Sequence, residues 1–193
     1  MTSTPKDRSY RSPAGIAGGV LLLALAAWLG GDALLRGTGR TPWLALAALL
    51  CVVPLVVAFT LRPAVWAGEE RLLVRNPFRT ITLPWGTVEH IRAGYSSEVL
   101  AAGKKYQLWA IPVSLRQRKR AARRAARGAA EGLPLPTETP GKAPSDQAID
   151  DLRELAERFA DRGGAPVVRW AYEIIVPSAI GLVVFAVLVA AGT

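Results

Sequence analysis

The chain has 193 residues, an apolar share of 51% and a formal net charge of +9. One cysteine and one histidine exclude a disulfide framework and a Cys/His metal cluster. Charge is segregated: 13–35, 42–61 and 174–193 hold almost none, while 1–12 and 62–173 hold nearly all of it, a pattern foreign to an ordinary soluble domain.

In chain order, 1–12 reads as a basic cytoplasmic tail with Lys6, Arg8 and Arg11. Residues 13–35 form a first transmembrane helix, whose apolar run from Ile16 to Leu35 is interrupted by Gly30, Gly31 and Asp32. A cleaved signal peptide is the competing reading of this run. The second span follows closely, and no small-x-small cleavage site lies beyond the apolar stretch, so a helical hairpin is preferred. Residues 42–61 give the second helix, with 19 uncharged positions from Trp43 to Leu61, and 172–191 give the third. Gly15 and Gly19 make a small-xxx-small pair, a candidate helix-packing face for the second span or for another copy in a homo-oligomer. Asp32 beside the loop reads as a wet interfacial residue and Pro54 as a kink.

Three positive charges lie in the tail, two in the first loop (Arg36 and Arg40) and nineteen in 62–173. Basic flanks stay inside, so the N-terminus and the region between the second and third spans are expected in the cytoplasm of a multi-pass cell-membrane protein, with the C-terminus outside.

From 62 to 113 the rhythm changes to short runs of β-branched, aromatic and leucine residues separated by turn formers. Strands are expected near 64–67, 71–75, 80–83, 89–95, 98–101 and 106–111. Hairpin-short spacings argue for antiparallel pairing. Residues 114–144 form a basic helix and a proline-rich linker. Residues 145–162 form an amphipathic helix that carries Ile149, Leu152, Leu155, Ala156 and Phe159 on one face and stops at Gly163 and Gly164.

The run from Val74 to Ile91, with Asn76-Pro77-Phe78 and Pro84-Trp85-Gly86, resembles the core of the bacterial pleckstrin-homology (PH)-like domains of small actinobacterial membrane proteins. The resemblance covers about 62–111, with 145–162 resembling the closing helix. It implies an α+β membrane protein: three transmembrane helices and a small antiparallel PH-like β-barrel or sandwich capped by a C-terminal amphipathic helix. Two departures stand out. Only about six strands are found, and the stretch 116–144 looks inserted before the cap. In eukaryotic relatives, phosphoinositide binding depends on basic residues in the loop joining the first two strands. Here that loop holds Glu69 and Glu70, which would repel a phosphorylated headgroup, so that pocket is not carried over.

No catalytic constellation, cofactor fingerprint or metal set emerges. His90 is a lone strand histidine, Cys51 lies in a span, and Glu69, Glu70, Glu89 and Glu98 are dispersed, so no enzymatic activity is expected. The one concentrated signal is Arg116, Arg118, Lys119, Arg120, Arg123, Arg124 and Arg127, candidates for contact with anionic membrane lipids. A solvated stretch that only enforces topology is the plainer alternative. Without interleaved aromatics, nucleic acid is disfavoured as a partner. The expected function is a non-enzymatic scaffold that engages an unknown membrane or cytoplasmic protein at the membrane surface. The alternative is a subunit of a membrane transport or channel complex.

Overall fold

A computed structural model describes residues 8–94, 96–112 and 144–192. It is an α+β protein with antiparallel strands and, among the described residues, three helices long and apolar enough to cross a membrane, spanning Pro13–Arg36, Thr41–Leu61 and Tyr172–Ala190 with mean hydropathies of 1.9, 2.8 and 2.4. The described residues fall into two compact units. One draws on 8–10, 65–72 and 83–166, the other on 11–64, 73–82 and 167–192.

Helix α1 (Pro13–Arg36) starts where its sequence provides a cap: the Ser12 hydroxyl accepts the Gly15 N–H at 3.1 Å and Pro13 sits in the first turn. Asp32 and Arg36 pair across its last turn at 3.3 Å, both largely exposed. Helix α2 (Thr41–Val56) contains Pro54, which cannot donate a backbone hydrogen bond, and it passes directly into a π-helical turn at Val57–Leu61. There the Thr60 hydroxyl donates to the Val56 carbonyl at 2.6 Å. Helix α4 (Tyr172–Ala190) packs on α2, with Gly181 against it. A Cβ at that position would fall on the Cys51 amide and 2.8 Å from the Ala47 carbonyl oxygen. Where lipid surrounds helices, such small-residue contacts let backbones approach and gain dispersion energy.

Among the described residues there are eight strands: β1 (Arg8–Tyr10), β2 (Ala64–Ala67), β3 (Arg71–Arg75), β4 (Arg79–Pro84), β5 (Val88–Ala93), β6 (Ser97–Ala101), β7 (Lys104–Gln107) and β8 (Val167–Trp170). Their order is β1-β2-β3-β4-β8 in one sheet and β5-β6-β7 in the other. The expected barrel is not closed among the described residues. Edges that closure would use have other partners: β1 pairs with β2 (Tyr10 opposite Val65), and β8 pairs with β4 (Arg79 opposite Trp170). The edge of β5 away from β6, without a strand partner among the described residues, gives its Ile91 carbonyl to Arg153 at 2.8 Å. Between β4 and β5, Pro84 ends the ladder and Trp85–Thr87 forms a single 3₁₀ turn, so the chain leaves one sheet before it enters the next. Residues 108–111, expected to be strand, form a turn instead, with Ile111 N–H bonded to the Leu108 carbonyl at 3.2 Å.

In the first unit, α3 (Pro144–Arg158) packs on β5 and on the 3₁₀ turn, burying Ile149, Leu152 and Leu155. Trp85, 1% exposed, is the largest buried side chain, and its indole N–H donates to the Gly68 carbonyl at 2.9 Å. Its neighbour must be glycine, because a Cβ on Gly86 would lie 2.9 Å from the carbonyl oxygens of both Ala160 and Arg162. The β1 strand is held by α3: the Tyr10 hydroxyl donates to Asp151 at 3.1 Å, and Arg8 lies 3.6 Å from the same carboxylate.

In the second unit, Ala58, Ala171 and Ile174 are buried with Phe78 against them, and Phe78 meets Phe59 edge-on at 5.3 Å. Arg62, 10% exposed in its side chain, occupies the joint after the π-helical turn. It donates through Nε to the Asn76 carbonyl at 3.2 Å, through Nη1 to Glu173 at 2.8 Å and through Nη2 to the Thr80 hydroxyl at 3.3 Å.

Candidate functional site

The first unit contains a cavity of about 310 Å³ lined by His90, Ile91, Arg92, Glu98, Leu100, Lys105 and Arg153. Strand alternation and register account for its composition. Alternate residues share a face, so His90 and Arg92 of β5 lie with Glu98 and Leu100 of β6. Leu100 stands opposite both His90 and Lys105, and Arg92 stands opposite Glu98, so two cross-strand rows form one surface. Arg153 enters from α3, its Nε bound to the Ile91 carbonyl at 2.8 Å and its Nη1 to Asp150 at 3.1 Å.

Three cations thus meet two carboxylates, Glu98 and Asp150, around the apolar side chain of Leu100. Glu98 is held ionised. The Ser96 hydroxyl, at 2.9 Å, lowers its pKa most, followed by the Arg92 guanidinium at 3.1 Å, with Lys105 adding to the field. Both Nε and Nη2 of Arg92 reach the same Glu98 oxygen, which fixes the guanidinium plane and leaves Nη1 without an acceptor among the described residues. Lys105 makes no ion pair or hydrogen bond among the described residues and is exposed. Chemically, the surface offers preorganised N–H donors and positive potential. The described residues contain no group of three or more His, Cys, Asp and Glu side chains placed to hold a metal ion.

Of the residues singled out from sequence, Arg116, Arg118, Lys119, Arg120, Arg123, Arg124 and Arg127 lie outside the described residues. Gly15 and Gly19 face the end of the second apolar helix. A Cβ on Gly19 would overlap the Thr60 side chain and come within 3.2 Å of Leu61 Cδ2, while one on Gly15 would lie 3.5 Å from the Thr60 carbonyl oxygen. Their neighbour is this chain's own second span. His90, read as a lone strand histidine, is exposed on β5 and lines the cationic surface. The available signal was the alternation His90-x-Arg92, which puts two basic groups on one face of a strand. Lys105 and Arg153 join that face only through pairing and helix docking.

Antiparallel sheets with an amphipathic helix packed on β5, in a chain with long apolar helices, define a PH-like protein with membrane-capable segments. The bacterial PH domain family matches residues 62–158, just over half of the chain, and the chain belongs to that family. No curated protein and no solved structure matches it.

Proposed function

We propose that the chain is a non-enzymatic, membrane-anchored binding module. Its spans hold the PH-like domain at the cytoplasmic surface of the cell membrane, where it scaffolds a membrane or cytoplasmic protein and its arginine-rich stretch rests on anionic lipid. The observation that supports this best is the directness of the joints. Leu61 ends the π-helical turn three residues before β2 begins at Ala64, and Trp170 of β8 is one residue from α4. Short joints restrict the domain to the bilayer surface and so raise the effective concentration of a surface-bound partner. Near each joint stand the groups suited to an interface: Arg62 at the first, and at the second Trp170 and Tyr172, both more than half exposed, with the Arg79 guanidinium 5.5 Å from the Trp170 ring.

The test uses membranes that express the full chain. Chemical crosslinking should return one reproducible protein partner, and changing the seven cations between Arg116 and Arg127 to glutamine should increase the distance between a dye at position 104 and a dye in the bilayer. Crosslinking that repeatedly captures nothing, with the dye distance unchanged, would refute the scaffold reading.

A further inference from the structure

We infer that the cleft between the β5-β6-β7 sheet and α3 is a binding site for a small phosphate monoester, held by Arg92, Lys105 and Arg153 with His90 at its border. The inference deepens the reading of the domain as a binding module and rests on it.

Four observations converge on this ligand class. First, the cations are three, arrive from three different elements and are met by two carboxylates, Glu98 beside Arg92 and Asp150 beside Arg153, so the surface keeps a positive excess that an oxyanion would neutralise. Second, two of the three are guanidinium groups already oriented by protein partners: Arg92 by Glu98 at 3.1 Å and Arg153 by the Ile91 carbonyl at 2.8 Å. Planar, fixed N–H forks suit phosphate oxygens, and orientation that exists before binding lowers its entropic cost. Third, Lys105 supplies a compact charge with no hydrogen-bond partner among the described residues. Fourth, the cavity of about 310 Å³ has an apolar floor at Leu100, between the His90 and Lys105 rows. Such a volume is at the small end of ligand sites, roughly 300–1,000 Å³, and it suits one phosphate with a small body attached.

This face is distinct from the turn that joins β2 and β3, where Glu69 and Glu70 are both exposed and would oppose an anion. A phosphate monoester can reach the cleft from two sources, a free solute or a lipid headgroup, and the chemistry at the cations is the same for both.

His90 is the only histidine in the chain, so its imidazole is an unambiguous reporter inside the cleft. The full chain, purified through a tag without histidine and labelled with isotopic histidine, is placed in phosphatidylcholine nanodiscs at fixed pH. Inorganic phosphate is titrated in one arm, and nanodiscs containing phosphatidic acid are used in the other. A saturable movement of the His90 resonances in the phosphate arm identifies a free solute as the source. Movement only with phosphatidic acid identifies the headgroup. Lys105→Gln should weaken the response by about tenfold, the loss expected for one charge-assisted contact. Lys104→Gln removes the same charge from the adjacent exposed position of β7 and should leave the response unchanged. Absence of movement in both arms overturns the proposal, as does an equal effect of the two lysine variants, which would indicate general attraction without a site. A failed partner capture would leave these outcomes intact, so the two readings fail separately.

Discussion

Replacing Arg62 tests whether the joint between the second apolar helix and the strands is organised by one side chain. In Arg62→Ala the Asn76 carbonyl loses its guanidinium donor; Asn76 is 5% exposed, and losing a hydrogen bond from a charged group there costs about 1.5–3 kcal/mol. The ion pair with Glu173 adds little. That carboxylate is 63% exposed, and solvent-screened pairs contribute about 0–1 kcal/mol. The contact to Thr80, at 3.3 Å, is weaker still. The expected loss is therefore about 1.5–4 kcal/mol for Arg62→Ala and under about 1 kcal/mol for Glu173→Gln. For a chain of this size that separates the melting temperatures by several degrees, at about 2–4 °C per kcal/mol. Thermal unfolding in one detergent, followed by tryptophan fluorescence, measures both. Equal losses would refute the argument, since they would place the stabilisation in the exposed ion pair and not in the buried carbonyl.

Tyr10 carries a pH dependence. Burial, then the Asp151 carboxylate, push its hydroxyl from the ordinary 10.0 up to about 12. A pKa raised by folding favours the protonated form, so this contribution is fully present below pH 10 and is lost as pH rises toward 12; after discounting for partial exposure it is about 1 kcal/mol. Denaturant unfolding across that range should show the wild type losing this much more than Tyr10→Phe, and parallel curves would contradict the assignment. Gly181→Leu should force α4 from the α2 backbone and cost more than about 2 kcal/mol in detergent, whereas at Gly19 the nearest atoms are side-chain atoms of Thr60 and Leu61, so Gly19→Leu should cost less; the reverse order would mean that the helices pack otherwise.

The apolar helices were legible in the sequence because charge is nearly absent from three stretches of bilayer length, a signal contained in each stretch itself. Strands β2 to β6 were legible for a similar reason: alternation and the turn formers at Gly68 and at Asn76-Pro77 lie within a few residues of each strand. The short outer strands differ. Arg8–Tyr10 has no strand pattern of its own and is extended because Tyr10 pairs with Val65, more than fifty residues away. Val167–Trp170 has the β-branched and aromatic content of a strand, but its partner is β4, almost ninety residues earlier. Those two pairings also account for the unclosed barrel, which local pattern could not reveal. The cleft was half legible. His90 and Arg92 declare a common face by spacing, while Lys105 depends on the register of β6 with β7, and Arg153 depends on where α3 docks. The positions of 116–127 rest on composition alone.

The central claim is that the apolar helices hold the PH-like domain on the cytoplasmic side of a membrane. In a Cys51→Ala background, single cysteines are introduced at Thr38, in the exposed loop between α1 and α2, and at Lys104, on exposed β7. Intact cells are then treated with a membrane-impermeant maleimide before and after permeabilisation. The account predicts labelling of position 38 in intact cells and of position 104 only after permeabilisation. Labelling of position 104 in intact cells with position 38 protected would contradict it.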